Sequence, residues 1–210
     1  YSAPHSPFQA PQNLIDHYLD QGHDRITATT YAMIEAMDKG IGQVLETLEK
    51  NGLAGDTIVM FTSDNGPAFF NPPFMLDPGE DPFNERFNAG LKGSKGWVYE
   101  GGIRVPMILR YPARLPANVV NHELAHFTDW LPTLASMCEI EIVGNNPLDG
   151  FDLSSQLQGE KQKEQPRRFW QWNFYYPSVS TNAAVRDGDW KLVRPMITGT
   201  RYYQNPDLYV

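Results

Sequence analysis

Between Ile26 and Leu48 apolar residues recur at helical intervals: Ile34, Met37, Ile41, Val44, Leu45 and Leu48. That spacing predicts a single amphipathic helix. Asp24 stands where an N-cap is expected and Gly52 where such a helix would stop. The pattern then changes period. Thr57-Ile58-Val59-Met60-Phe61-Thr62-Ser63 holds four consecutive apolar residues and no polar alternation, which predicts a short strand over 57–62, buried on both faces. Asp64-Asn65-Gly66-Pro67 ends it with turn residues. Helix followed by strand is the grammar of an α/β fold. A second apolar run predicts a strand at about 105–111, with Pro106 at a strand end or sheet edge. A short amphipathic helix is expected near Thr128-Asp129, with Pro132 in its first turn. Cys138 falls in phase with Leu131, Leu134 and Ala135, so it is expected to be a core thiol.

The remaining segments lack these periods. Residues 1–12 carry three prolines around His5 and read as an extended loop. Residues 67–90 are rich in Pro, Phe and Asn, and aperiodic loops of that length are usually functional or disordered. After Gly150 the texture shifts. Residues 158–168 are polar and charged, as in a linker or surface crossing. Phe169–Tyr176 is aromatic strand material, and Ala184–Val193 reads as a hairpin on an Asp-Gly turn. The division expected is 1–157 for an α/β domain and 158–210 for the start of a small antiparallel subdomain.

The 210 residues suffice for one domain or somewhat more. A net charge of −8, with Arg167-Arg168 the only adjacent basic pair, argues against a nucleic-acid partner. No apolar run approaches the roughly 18 residues of a membrane span. No signal peptide or initiator Met is seen, and a chain opening on Tyr1-Ser2-Ala3-Pro4 is expected to be part of a longer polypeptide. One cysteine rules out an internal disulfide framework.

Three places could carry chemistry. Asp64 and Asn65 put a carboxylate beside an amide oxygen at the carboxyl end of a strand, where open α/β sheets bind ligands. That donor pair suits a hard cation, and it equally suits an Asx turn. His5, stiffened by Pro4 and Pro7, could bind an anion or pass a proton, or be a surface loop histidine. Lys95 lies among Gly93, Gly96 and neighbouring glycines. Such a setting lets backbone and ammonium approach an anion, or forms a solvated loop in which Lys92 is the rival cation. The loop lacks the Gly-x-x-x-x-Gly-Lys-Ser/Thr of a Walker A motif. His17, His23, His122 and His126 show no metal-ligand spacing.

Four segments, in order, resemble the later half of a type I sulfatase of the arylsulfatase branch, within the alkaline phosphatase-like superfamily. They are Ala3–Phe8, Thr62–Pro67, Gly93–Pro106 and Thr128–Leu134; Leu148–Leu153 and the Val185–Val193 hairpin extend the match. The resemblance implies an α/β fold with an alkaline phosphatase-like mixed sheet and flanking helices, present in part, plus the start of a small antiparallel C-terminal subdomain. It implies sulfate ester hydrolysis with Asp64 and Asn65 as two ligands of a calcium ion, and His5 and Lys95 as catalytic and substrate-binding contacts to sulfate oxygens. The implied substrate is a sulfated small molecule or glycan, and the implied location periplasmic or secreted. The family's nucleophile is a formylglycine made in a Cys/Ser-x-Pro-x-Arg motif. This chain has no such motif, so the formylglycine, the family's early Asp-Asp pair and the missing N-terminal half are expected before Tyr1. The alternatives are a phosphate or phosphonate monoester hydrolase on the same scaffold, and a non-catalytic half that binds a glycan or partner chain.

Overall fold

The computed structural model describes residues 1–68, 87–144, 146–161, 166–172 and 182–194. Most of the expected 67–90 loop and residues 173–176 of the aromatic segment lie outside them. The chain divides into two compact units. One is made of Tyr1–Thr57, Phe61–Gly96 and Glu100–Met107; the other of Ile58–Met60, Trp97–Tyr99 and Ile108–Val210.

The first unit opens with a turn in which the His5 N–H donates to the Ser2 carbonyl at 2.8 Å, so this segment is turned where an extended loop was expected. Helix α1 (Gln12–Asp20) follows, then α2 (Arg25–Lys50), separated by Gly22 at φ +90°. The sequence predicts only the second, because the Leu14, Ile15, Tyr18, Leu19 pattern of α1 spans barely two turns. Asp24 caps α2 as expected, accepting from the Ile26 and Thr27 N–H groups at 3.0 Å. Burial, which opposes ionisation, is outweighed by the Thr27 and Ile26 hydrogen bonds, and the Asp24 carboxyl is held below its ordinary pKa. Gly52, at φ +69°, closes the helix. Its N–H bonds Glu49 O and the Leu53 N–H bonds Leu48 O, the two bonds of a Schellman motif.

The α1–α2 contact centres on Ile15 against Ala28 and Ala32, with Leu14, Tyr18 and Leu19 around them. Two alanines without bulk let the helices approach closely, and burying Ile15 stabilises the pair by about 1.5–3 kcal/mol. The buried residues of α2 all lie between Ile26 and Met33. The stripe expected to face the core lies further on, and Ile34 and Val44 are exposed. The helical period is right, but the fully buried positions sit on the first turns, and further on the contacts are partial: Tyr18 donates to Glu35 at 3.0 Å and the Tyr1 ring lies against Gly40.

Strands β1 (Val59–Thr62) and β2 (Met107–Arg110) form a two-stranded sheet, with the Thr62 Oγ1 donating to Pro106 O at 2.9 Å. The expectation of a strand buried on both faces is overturned: Met60 and Phe61 are 38% and 37% exposed. One partner strand and no covering layer among the described residues leave both faces open. Helix α3 (Glu100–Ile103) is a single turn leading into β2.

In the second unit a 3-10 turn, Phe127–Asp129, runs into α4 (Trp130–Met137) with Pro132 in its first turn, as expected. His126 caps the turn: its ring accepts from the Thr128 N–H at 3.3 Å, while Asp129 Oδ2 accepts from the His126 N–H at 2.7 Å. Cys138 is exposed, against the expectation of a core thiol. The helix has already ended, so Cys138 is its C-cap, and the buried positions are Thr133, Ala135 and Met137. Helix α5 (Ser154–Leu157) precedes an antiparallel sheet in the order β3 (Arg168–Trp172), β4 (Asn182–Asp187), β5 (Trp190–Arg194). The β4–β5 hairpin pairs Asp187 with Trp190, so its two-residue loop is Gly188-Asp189, one residue later than Asp-Gly, with Gly188 at φ +56°.

Arg168, expected within a surface crossing, is instead buried. Its Nη2 donates to Asp129 Oδ1 at 2.6 Å, and its guanidinium lies 4.7 Å from the Phe151 ring centroid. Asp129 Oδ1 also accepts from the Phe151 N–H at 2.9 Å. Thr133 Oγ1 accepts from the Leu153 N–H at 2.9 Å. Gly150 is the close-approach point: a Cβ there would stand 1.8 Å from Thr128 O. Two of the quoted motifs, Thr128–Leu134 and Leu148–Leu153, therefore form one buried polar knot.

Candidate functional site

Asp64, Asn65, Lys95 and His5 all belong to the first unit. Asp64 and Asn65 lie just past the end of β1. Asp64 is exposed, and its carboxylate has no hydrogen-bond or ion-pair partner among the described residues. Asn65 Nδ2 donates to Gly66 O at 3.1 Å, which commits the amide nitrogen and leaves Oδ1 as the acceptor. Ser63 Oγ braces the turn by donating to Asn65 O at 2.9 Å.

The turn does not stand alone. The Gly66 N–H donates to Gly102 O at 2.8 Å, and the Lys95 N–H donates to Pro67 O at 2.9 Å. These two bonds sew the glycine-rich Lys95 segment onto the Asp64–Pro67 turn, although the residues are some thirty positions apart. Glycine is required at this contact. A Cβ on Gly66 would stand 1.8 Å from Gly101 O, and one on Gly101 would stand 2.1 Å from Gly93 O. Lys95 is exposed, and its ammonium has no partner among the described residues.

His5 Nδ1 lies 2.8 Å from Ser6 O. A carbonyl only accepts, so Nδ1 carries a proton, and Nε2 of this exposed ring has no partner among the described residues. No hydrogen bond among the described residues joins His5 to Asp64, Asn65 or Lys95. The structure brings the Lys95 loop and the Asp64–Asn65 turn together; it places His5 in the same unit without such a link.

The donor set fits a hard cation in kind. A carboxylate and an amide oxygen, both free to coordinate, are ligands calcium accepts. Calcium takes six to eight oxygens, so further ligands are needed; the described residues contain no group of three or more His, Cys, Asp or Glu that could hold a metal. Asn88, whose Nδ2 donates to Leu91 O at 2.8 Å and to Gly93 O at 3.0 Å, went unread in the sequence. Its only signal there was a position two residues before Gly90, at the edge of a loop.

Residues 1–140 match the sulfatase family model, and residues 93–209 match the model described as N-sulphoglucosamine sulphohydrolase, C-terminal. The chain belongs to the sulfatase family. It is 35% identical over 154 residues to mouse arylsulfatase J, covering 73% of this chain and 23% of that protein. With human arylsulfatase A the figures are 36% over 159 residues, 74% and 28%. The crystal structure of Ps i-CgsB in complex with k-i-k-neocarrahexaose superposes with a TM-score of 0.74 at 27% identity, over 91% of this chain and 39% of that one. The fold is therefore the alkaline phosphatase-like α/β fold of sulfatases, with a two-stranded and a three-stranded sheet among the described residues. The chain spans about a quarter of the length of these curated relatives.

Proposed function

We propose that this chain is the later part of a sulfuric ester hydrolase, with residues 1–157 completing its catalytic domain and 158–210 beginning a small C-terminal subdomain. Asp64 and Asn65 are two calcium ligands, and Lys95 and His5 are the sulfate contacts. The observation that carries this reading is the Lys95 N–H to Pro67 O bond. It sets a segment whose ammonium has no partner among the described residues against a turn whose oxygen donors have none there either, and the tetrahedral anionic head of a sulfate ester, bridging cation and lysine, is a ligand such a pair accommodates.

Bound calcium would polarise the sulfate oxygens as a Lewis acid. The nucleophile, a formylglycine by family resemblance, is supplied from outside these 210 residues. The chain's own residues do the rest. Lys95 neutralises charge on the transferring group. His5, with Nδ1 held on Ser6 O, keeps Nε2 available to exchange a proton with the leaving alcohol. The substrate is a sulfated small molecule or glycan; the oligosaccharide named in the Ps i-CgsB complex supports the glycan. A periplasmic or secreted location follows from the same resemblance.

The test is hydrolysis of a chromogenic aryl sulfate and of the matching aryl phosphate by the complete protein, with calcium and with a chelator. Calcium-dependent sulfate release is expected. Lys95→Ala should cut turnover roughly 10²-fold, the loss typical of one preorganised electrostatic donor. Faster phosphate cleavage would move the reading to a phosphate monoesterase, and an undiminished Lys95→Ala rate would remove Lys95 from the chemistry.

A further inference from the structure

We propose that Asn88 is a positioning residue for Lys95, acting through a stretch that is hydrogen-bonded to the Asp64–Pro67 turn. This rests on the reading of Lys95 as the anion contact. Three observations converge. Asn88 Nδ2 spends both hydrogens on one short stretch, donating to Leu91 O at 2.8 Å and to Gly93 O at 3.0 Å. The stretch is then locked from its other side, because the Gly101 N–H donates to Lys92 O at 2.7 Å. Finally, the Gly66–Gly102 and Lys95–Pro67 bonds attach it to the turn.

The chain of contacts runs through backbone alone. Gly93 O, which accepts from Asn88, is also the atom a Cβ on Gly101 would strike at 2.1 Å, and Gly101 O is the atom a Cβ on Gly66 would strike at 1.8 Å. With no side chains between them, the two loops have nothing soft to absorb a displacement. Gly90 and Gly93, at φ +71° and +88°, give the stretch a path that few other residues can follow, and glycines make it pliable when unrestrained. A single carboxamide bridging the Leu91 and Gly93 carbonyls removes that freedom. Lys95 begins two residues beyond Gly93, so its ammonium inherits whatever slack the stretch retains. A misplacement of about 1 Å in such a group costs up to about 10²-fold in rate.

Asn88 itself touches no reacting atom, and double variants separate positioning from chemistry. In the complete protein, Asn88→Ala and the isosteric Asn88→Asp, which keeps the shape and loses both donors, are each made alone and in the Lys95→Ala background. Expected is a roughly 10- to 100-fold fall in aryl-sulfate kcat/KM in the native background and less than about twofold once Lys95 is gone. Calcium affinity should change less than the rate does. A general loosening of the fold would give the same factor in both backgrounds, and that result overturns the proposal, as does full activity of both single variants. A second readout does not depend on turnover. Amide hydrogen exchange at Lys95 and Gly66 should accelerate in Asn88→Ala while exchange along α2 does not. If the wild-type protein hydrolyses no sulfate ester, the functional reading fails by itself, and the exchange result still decides whether Asn88 holds the loop. Unchanged protection at Lys95 refutes it.

Discussion

Removing Arg168 separates two effects that usually come together when a buried ion pair is broken. Its Nη2 is 2.6 Å from Asp129 Oδ1, and the two side chains are 3% and 0% exposed. The Coulomb energy of such a contact overstates its worth, because both ions were desolvated to make it. What decides the outcome is the state of whichever partner remains. In Arg168→Met the carboxylate keeps two backbone donors, His126 N–H at 2.7 Å and Phe151 N–H at 2.9 Å. The cost should fall at the low end of the 3–5 kcal/mol seen for broken buried pairs, about 3 kcal/mol. Asp129→Ala strands a buried guanidinium and also orphans those two N–H groups, each worth about 1–3 kcal/mol. Its cost should exceed about 5 kcal/mol. The double variant should be milder than Asp129→Ala alone, since the stranded cation is gone while the orphaned amides stay. The assay is urea unfolding of the complete protein followed by tryptophan fluorescence, with Trp130, Trp170 and Trp172 as the local reporters. An Arg168→Met cost below about 1 kcal/mol, or a double variant no better than Asp129→Ala, would refute the reasoning.

Gly150→Ala should destabilise the second unit by about 1–3 kcal/mol or more, because the clash is with the Thr128 backbone, which cannot swing away; a midpoint shift within error would show that the close approach relaxes freely. Burial first, and then the charge of Arg168, depress the pKa of His126, with Asp129 partly opposing. The neutral ring is therefore the native form. Its stabilising contribution is complete above the unfolded value of about 6.5 and is lost as pH falls through it toward the lower folded value. Stability measured from pH 7.5 to 5.5 should fall, and His126→Asn, which can still cap the turn, should flatten that slope; parallel slopes would count against it. Asp64→Ala in the complete protein should weaken calcium binding, read by calorimetry, by at least the 10- to 100-fold that loss of an outer-shell partner costs. Unaltered affinity would show that Asp64 is not a ligand.

What could be read from the chain beforehand was what short range decides. Asp24, Gly52 and Gly188 act on neighbours within a few residues, so cap, helix end and hairpin were legible. So was the position of Asp64 and Asn65, because an apolar run ending in Asp-Asn-Gly-Pro is a local signal. Burial was not, since it depends on which elements meet. Apolar runs mark the elements, but Phe61, Val44 and Cys138 are exposed because among the described residues no partner covers them. Contacts across many residues were equally silent. Arg168 finds Asp129 across 39 positions and Gly150 lies against Thr128, and neither has a periodic signature. The motifs around them were recognisable as family text, but their work as a buried knot shows only in three dimensions. Asn88 is the same case inside the site.

The glycine contact at the site has a consequence for anyone scanning this protein by saturation mutagenesis. Gly66 and Gly101 would tolerate almost nothing, since even a methyl group at either meets backbone oxygen at 1.8 Å or 2.1 Å. A fitness map would colour them as darkly as Lys95 and invite their assignment to the chemistry. The distinction lies in the shape of the tolerance profile. At a glycine hemmed in by main chain every side chain is excluded, whatever its charge, and the penalty tracks protein abundance. At Lys95, if the sulfate-contact proposal holds, loss of the charge should cut activity roughly 10²-fold while cellular protein levels hold. Two columns of the same map, one normalised to abundance and one not, would tell a spatial constraint from a chemical one without any purified enzyme.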